Sequence, residues 1–180
     1  TKSLTLASEI FKAYDIRGIV DKTLTPEIAY AVGQALGSLS RERGATSIAV
    51  GRDGRLSGPS LSQALRDGIS STGCDAIDLG LVPTPVSYFA GHYLGTGSCV
   101  SVTGSHNPPD YNGIKMVVAG EAIWGDTIQS LKTRAEAGDV KTGTGKQTAA
   151  DIKQAYVDRI VGDAKLSRPM KIAVDCGNGA

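Results

Sequence analysis

The chain alternates between short, mostly apolar runs and longer segments whose apolar residues have helical spacing. The short runs are typical of buried strands, and we predict strands at 47–51, 74–79, 98–103, 114–119 and 171–175. The longer segments predict helices at 26–43, 58–69, 85–93, 126–137 and 150–161. Because strand and helix alternate through most of the chain, we expect an α/β fold.

The connection between the strands at 98–103 and 114–119 indicates how they pair. It spans only residues 104–113, whereas a parallel crossover needs about a dozen residues or more. We therefore expect an antiparallel pair within a mixed, mostly parallel sheet that is sandwiched by helices. Upstream, we predict a polar, loosely packed start at 1–8 and an irregular turn, rather than a strand, at 10–18.

A change in composition marks the expected domain boundary. Residues 138–148 are rich in glycine, threonine and lysine and have no apolar periodicity, which is typical of a linker. They do not form a nucleotide-binding P-loop, because Val140 and Gln147 stand where that motif needs a glycine and a hydroxyl residue. We predict a first domain at residues 1–149 and the truncated start of a second α/β domain at 150–180.

Composition and charge narrow the class of protein. The 180 residues include 19 basic and 18 acidic side chains, a balance that favours neither nucleic acid nor an anionic membrane as a partner. No basic-then-apolar leader opens the chain and no apolar run approaches the about 18 residues of a membrane span, so we expect a cytoplasmic protein. We expect Cys74, Cys99 and Cys176 to be reduced core residues, since they lack metal-ligand spacing.

The connection at 104–113 carries the most distinctive candidate chemistry. Gly104 frees the backbone just before Ser105, and two prolines stiffen the chain shortly after it, so the serine can stand out from the sheet edge. Donor groups surround it in the sequence, at His106, Asn107, Asn112 and Lys115. They suit a hydroxyl that carries or accepts a phosphoryl group. The alternative is a polar hairpin loop with a surface serine, since these are ordinary turn residues.

Other side chains are candidates for binding or proton transfer. Tyr14 and Arg17 combine a phenol with a guanidinium fork, which suits an anionic, hydroxyl-rich ligand; the alternative is a surface arginine paired with Asp15. Lys115 should return towards Ser105 on the antiparallel strand, for proton transfer or phosphate binding, unless it is plain solvated surface.

The sequence does not favour an acyl hydrolase built on Ser105 and His106. Adjacent side chains generally diverge, and Asn107 replaces the final glycine of a G-x-S-x-G elbow.

Several segments together carry a family resemblance. They lie at 11–18, 50–58, 82–86, 103–113 and 174–179, and the run at 103–108 followed by 112–115 is the most specific. In this order they resemble the amino-terminal part of the bacterial phosphomannomutase/phosphoglucomutase enzymes of the α-D-phosphohexomutase superfamily. The glycine at position 104 resembles the mannose/glucose branch of that superfamily, since glucosamine-type relatives usually have alanine at this position.

The resemblance implies a reversible exchange of phosphate between C1 and C6 of mannose or glucose phosphates. Ser105 would be a phosphoserine that donates its phosphoryl group and is re-phosphorylated by the hexose 1,6-bisphosphate intermediate. Lys115 would be the candidate for proton transfer, with His106 and Arg17 assisting at the reacting end. The resemblance assigns substrate binding to Tyr14, Arg17 and Asn107.

The resemblance also implies Mg²⁺, bound by one oxygen of the Ser105 phosphate and by three aspartates of a later loop. No Asp-Gly-Asp run occurs in this sequence, so the metal ligands and most sugar contacts would come from the remaining domains. We therefore predict a fragment that carries the nucleophile and does not turn over alone. Two other hypotheses stay open: a non-catalytic phosphosugar-binding module, and a structural domain with a vestigial loop.

Overall fold

The computed structural model describes residues 5–180 and has the alternating elements expected of an α/β fold. The helices are α1 (Pro26–Glu42), α2 (Gly58–Ser71), α3 (Thr84–Tyr93), α4 (Gly125–Ala137) and α5 (Lys153–Asp163). The strands are β1 (Ile16–Ile19), β2 (Ser47–Arg52), β3 (Asp75–Leu81), β4 (Cys99–Val102), β5 (Tyr111–Val118), β6 (Glu121–Ala122) and β7 (Gln147–Ala149). A short 3-10 helix covers Ser8–Ile10.

Helix α1 begins where the sequence predicts and packs closely on α2. The side-chain oxygen of Thr25 accepts a hydrogen bond from the backbone N–H of Ile28 at 3.4 Å, and Pro26 occupies the first helical position. A Cβ added to Gly68 would lie 2.1 Å from the carbonyl oxygen of Tyr30. The glycine therefore lets the two helix backbones approach each other.

All seven strands form one sheet, in the order β1-β5-β4-β2-β3-β7 with β6 also paired to β5. Strands β4, β2, β3 and β7 are parallel neighbours, whereas β5 is antiparallel to β1, β4 and β6. Six of the seven strands thus run in one direction and β5 runs against them. The predicted antiparallel pair and the mixed, mostly parallel sheet are both confirmed.

The core lies on both faces of the sheet. The larger apolar cluster joins α1, α2 and α4 to the sheet, and a smaller cluster joins α3 to the opposite face. Successive residues of β2 show this division, since Ile48 and Val50 belong to the larger cluster and Ala49 to the smaller one. The expected sandwich of helices around the sheet is therefore confirmed. No helix within residues 5–180 is long and apolar enough to cross a membrane.

Three segments that were not predicted as strands join the sheet, and one of them is the two-residue strand β6, which pairs with β5. The turn expected at 10–18 is wrong for its second half, because Ile16–Ile19 pairs with β5; an edge strand of four residues is too short to show clear alternation. In the expected linker at 138–148, β7 begins at Gln147 and pairs in parallel with β3. The domain division at residue 149 stays a prediction.

Two further expectations fail at the ends of the chain. Residues 171–175 form no strand and are exposed, because a strand needs a neighbour for its backbone hydrogen bonds and no described segment pairs with this one. At the start, Leu6 is buried in the larger cluster, so the loosely packed start is wrong there. The part of that expectation on residues 1–4 lies outside the described residues.

The cysteines divide into two environments. Cys74 and Cys99 are buried, as expected, and burial raises the pKa of Cys74 to about 11 and the pKa of Cys99 to about 12. Cys176 is exposed, which corrects the expectation that all three belong to the core. It lies in the segment without secondary structure that follows α5.

Candidate active site

The candidate residues gather where parallel strands end. In the register of β2 and β4, Arg52 lies opposite Val102, so the loops that follow these two strands leave the sheet at the same edge. The loop after β4 carries Ser105 and leads into β5, which pairs with β1. This edge is the usual place for ligands in open α/β sheets.

The loop that contains Ser105 has a well-defined backbone. Ser105 is exposed and has a φ of +54°, in the left-handed region that side chains other than glycine seldom adopt. Its N–H donates to Oγ1 of Thr103 at 2.9 Å. The carbonyl oxygen of Gly104 accepts from the backbone N–H and from Nδ2 of Asn107, both at 3.0 Å. Local hydrogen bonds thus surround the serine and leave its hydroxyl at the surface.

His106 lies against the serine hydroxyl, although adjacent side chains were expected to diverge. The distance from Ser105 Oγ to His106 Nδ1 is 3.2 Å. The turn at Ser105 brings these neighbours together, because a left-handed residue breaks the alternation of an extended chain. Within residues 5–180, no hydrogen bond orients the other ring nitrogen of His106. The contact therefore lacks the third member of a hydrolytic triad.

Asp15 brings two predicted cations together. Its Oδ2 lies 2.5 Å from Nη2 of Arg17 and 3.5 Å from Nζ of Lys115. Asp15 is only 6% exposed, so its carboxylate is largely shielded from water. The alternative pairing of Arg17 with Asp15 is thus present, but the arginine is not a free surface group. Its Nε is buried and has no hydrogen-bond partner in the described part of the chain.

Among the open cavities at this edge, one holds most of the predicted binding residues and another holds the serine. The first, of about 710 Å³, is lined by Tyr14, Asp15, Arg17, Asn107 and Lys115 among others. The second, of about 630 Å³, includes Ser105 and Asn107. The structure therefore collects the predicted binding residues around one cavity, and Asn107 connects it to the cavity of the serine. Tyr14 is 76% exposed and lies at the rim.

The described residues do not form a metal site by themselves. No group of three His, Cys, Asp or Glu side chains suited to a metal ion occurs within residues 5–180. Asp53, which bonds to the serine loop, accepts hydrogen bonds at both of its carboxylate oxygens. Of the Mg²⁺ ligands that the resemblance implies, only a phosphate on Ser105 would belong to this chain.

Residues after β2 that were not predicted as site residues contact the Ser105 loop. Asp53 and Arg55, in the loop after β2, bond to residues of the serine loop about fifty positions away. Their loop was recognisable as a ligand-binding edge, because two arginines follow a buried strand. The sequence carried no signal for the contacts themselves.

Comparisons with known proteins agree on the family. A family profile described as "Phosphoglucomutase/phosphomannomutase, alpha/beta/alpha domain I" matches residues 8–142. The chain is 52% identical over 178 residues to a phosphomannomutase/phosphoglucomutase of Pseudomonas aeruginosa, with 99% of this chain and 38% of the relative covered. It is 49% identical over 178 residues to a phosphoglucomutase of Neisseria meningitidis, covering 97% of this chain and 38% of that protein.

A solved structure shows the same fold. The crystal structure of a phosphoglucomutase/phosphomannomutase family protein from Burkholderia thailandensis superimposes with a TM-score of 0.88 at 50% identity, over 92% of this chain and 38% of that one. The chain thus spans about 38% of the length of the relatives it matches. By the profile match over most of its length, the chain belongs to the phosphoglucomutase/phosphomannomutase family and contains its alpha/beta/alpha domain I.

Proposed function

We propose that this chain supplies the phosphoryl-carrying serine of a hexose-phosphate mutase. Phospho-Ser105 gives its phosphoryl group to the free C1 or C6 hydroxyl of a hexose monophosphate: the bond from phosphorus to Oγ breaks, and a bond to the sugar oxygen forms. The sugar hydroxyl loses its proton to a base. The resulting 1,6-bisphosphate returns its other phosphoryl group to Ser105 Oγ, so the net reaction exchanges the C1 and C6 phosphates of mannose or glucose.

One observation carries this proposal. An exposed serine hydroxyl sits on a hydrogen-bonded loop, and Asn107 links its cavity to one lined by Arg17 and Lys115. Positive groups around an open cavity suit the phosphates of a sugar, and positioning with charge stabilisation is most of what phosphoryl transfer needs. The names of the relatives, which include phosphomannomutase and phosphoglucomutase, support the same reaction class.

The residues divide into roles. Ser105 is the nucleophile and phosphoryl donor, and Lys115 is the proton-transfer group, held by Asp15 at 3.5 Å. His106, 3.2 Å from the serine hydroxyl, and Arg17 assist where charge develops. Tyr14, at the cavity rim, and Asn107, between the cavities, contact the sugar phosphate. Mg²⁺ bound to the serine phosphate would take its other ligands from outside this chain.

The phosphorylation state of the full-length protein tests the proposal. We expect the intact mass to fall by one phosphoryl group after phosphatase treatment, and the Ser105→Ala variant to lack that group. The variant should also lose about 10³-fold or more in kcat for conversion of glucose 1-phosphate. Ser130→Ala, which removes an exposed hydroxyl on α4, is the matched control and should keep both properties.

The other hypotheses predict different results. A phosphosugar-binding module would bind glucose 1-phosphate equally in Ser105→Ala and carry no phosphate on the serine. A structural domain with a vestigial loop would show neither binding nor phosphate. Conversion of glucose 1-phosphate by the 180-residue chain alone, with contaminating mutase excluded, would contradict the proposal that other domains complete the site.

A further inference from the structure

One arginine of the loop after β2 holds most of the Ser105 loop. Arg55 donates from Nη1 to the carbonyl oxygens of Pro108 and Tyr111, at 2.5 and 2.9 Å. It donates from Nη2 to the carbonyl oxygens of Ser105 and Asn107, at 3.1 and 2.7 Å. A guanidinium has five N–H donors in a rigid fork. Four of them are thus directed at backbone carbonyls of a single loop.

Asp53 holds the start of the same loop. Its Oδ2 accepts from Oγ1 of Thr103 at 2.9 Å and from the N–H of Gly104 at 3.1 Å. The same oxygen lies 3.4 Å from Nε of Arg55, and Oδ1 accepts from the Arg55 N–H at 3.0 Å. Together Asp53 and Arg55, which we call the clamp, contact the loop on both sides of Ser105. Neither makes a hydrogen bond to the serine hydroxyl within the described residues.

The backbone of Ser105 needs this support. A left-handed φ of +54° in a residue with a side chain persists only when surrounding contacts enforce it. The clamp supplies such contacts, because Arg55 bonds to the carbonyl of Ser105 itself and Asp53 bonds to the residue before it. Without them the serine could relax to an ordinary φ, and its Oγ would then move relative to the cavity.

We propose that Asp53 and Arg55 are positioning residues that set the direction of the Ser105 hydroxyl for phosphoryl transfer. The inference rests on the proposed function of Ser105 and adds two residues that hold the serine through the backbone of its loop, with no hydrogen bond to its hydroxyl. In-line transfer depends on alignment of the attacking and leaving oxygens. A displacement of about 1 Å can cost about 10²-fold in rate. The clamp therefore acts on kcat through the conformation of the loop.

Substitution of Arg55 in the full-length enzyme tests the clamp. We expect Arg55→Ala to lower kcat about 100-fold and to leave KM within about threefold, because the clamp contacts neither Arg17 nor Lys115, and its bonds to Asn107 and to Tyr111 go to backbone carbonyls and not to their side chains. Arg55→Lys should recover only part of kcat, since an ammonium lacks the planar fork that reaches four carbonyls. The Lys variant also keeps the test usable if the Ala variant does not fold.

Arg66→Ala is the matched control. Its side chain is 10% exposed, against 15% for Arg55, and pairs with Asp78 at 2.9 Å on the opposite side of β2 from the serine loop. This variant should lower the melting temperature and keep kcat within about threefold. Comparison of Arg66→Ala with Arg55→Ala thus distinguishes a general loss of stability from a loss of positioning of Ser105.

A second measurement follows the serine directly. Dephosphorylated enzyme is mixed with glucose 1,6-bisphosphate, and the growth of the phosphorylated intact mass gives the rate of transfer to Ser105. We expect Arg55→Ala to slow this transfer in proportion to kcat. If Arg55→Ala keeps kcat within threefold, or loses no more than Arg66→Ala, the clamp proposal is overturned. If instead Ser105→Ala retains wild-type turnover, the proposed function itself fails, whatever the clamp variants do.

Discussion

Changing Asp15 to asparagine removes the charge on which two cations of the cavity converge. The substitution keeps the size of the side chain and one carbonyl oxygen. Both cations contact Oδ2 of Asp15. An amide oxygen in that position carries no net charge, so it holds two cations less strongly than a carboxylate does, and an amide nitrogen there would face both with a donor. We expect both side chains to lose their fixed positions in the full-length enzyme, although neither is itself altered.

The size of the effect follows from burial and contact geometry. Exposed ion pairs contribute less than about 1 kcal/mol, but here the side chain of Asp15 is 9% exposed and those of Arg17 and Lys115 are 19% and 28% exposed. A net value of about 2 kcal/mol, typical of hydrogen bonds to charged groups, is therefore appropriate. This corresponds to a loss of about 30-fold in kcat/KM.

The assay is steady-state conversion of glucose 1-phosphate by full-length Asp15→Asn, with thermal unfolding measured alongside. Glu121→Gln is the matched control, because it removes the carboxylate of an ion pair with Arg43 whose acid is 76% exposed. We expect less than a twofold change in the control. A kcat/KM for Asp15→Asn within about threefold of the parent would refute the view that Asp15 organises Arg17 and Lys115.

Three further predictions concern the serine loop and the thiols. A Cβ on Gly104 would lie 2.2 Å from the guanidinium carbon of Arg55. Gly104→Ala should therefore displace this side chain and lower kcat about 10-fold, equivalent to one lost charged hydrogen bond. If Gly104→Ala causes the same loss in a variant that already lacks Arg55, this explanation is contradicted. In urea unfolding of the 180-residue chain, the Ser105→Gly variant should be more stable than Ser105→Ala by about 1 kcal/mol, because only glycine tolerates a positive φ without strain. Equal unfolding midpoints for the two variants would argue against backbone strain at this position. Iodoacetamide at mildly alkaline pH should label Cys176 and spare Cys74 and Cys99, whose raised pKa values of about 11 and 12 keep them protonated; mass spectrometry that finds all three labelled at one rate would contradict their burial.

Much of the fold was predictable because its signals are local. The start of α1 depends on Thr25 and Pro26, which are adjacent in the sequence, and the antiparallel pairing of β4 with β5 follows from the short connection between them. Strand predictions failed where the presence or absence of a neighbouring strand decides whether a segment joins the sheet. Residues 171–175 have an apolar pattern but no described partner, whereas Ile16–Ile19 has a weak pattern and pairs with β5. Backbone pairing is a tertiary property, so pattern alone could not settle either segment.

The candidate site divides in the same way between local and distant signals. Ser105 and its neighbours form a continuous motif, so the sequence could identify them, whereas the clamp comes from a loop about fifty residues earlier. Parallel pairing of β2 with β4 alone places the two loops at one edge, with Arg52 opposite Val102. The sequence already marked the two arginines after β2 as lying at a ligand-binding edge. It could not have shown that Arg55 points at carbonyl oxygens rather than at the ligand, because the direction of a long side chain depends on the completed packing around it.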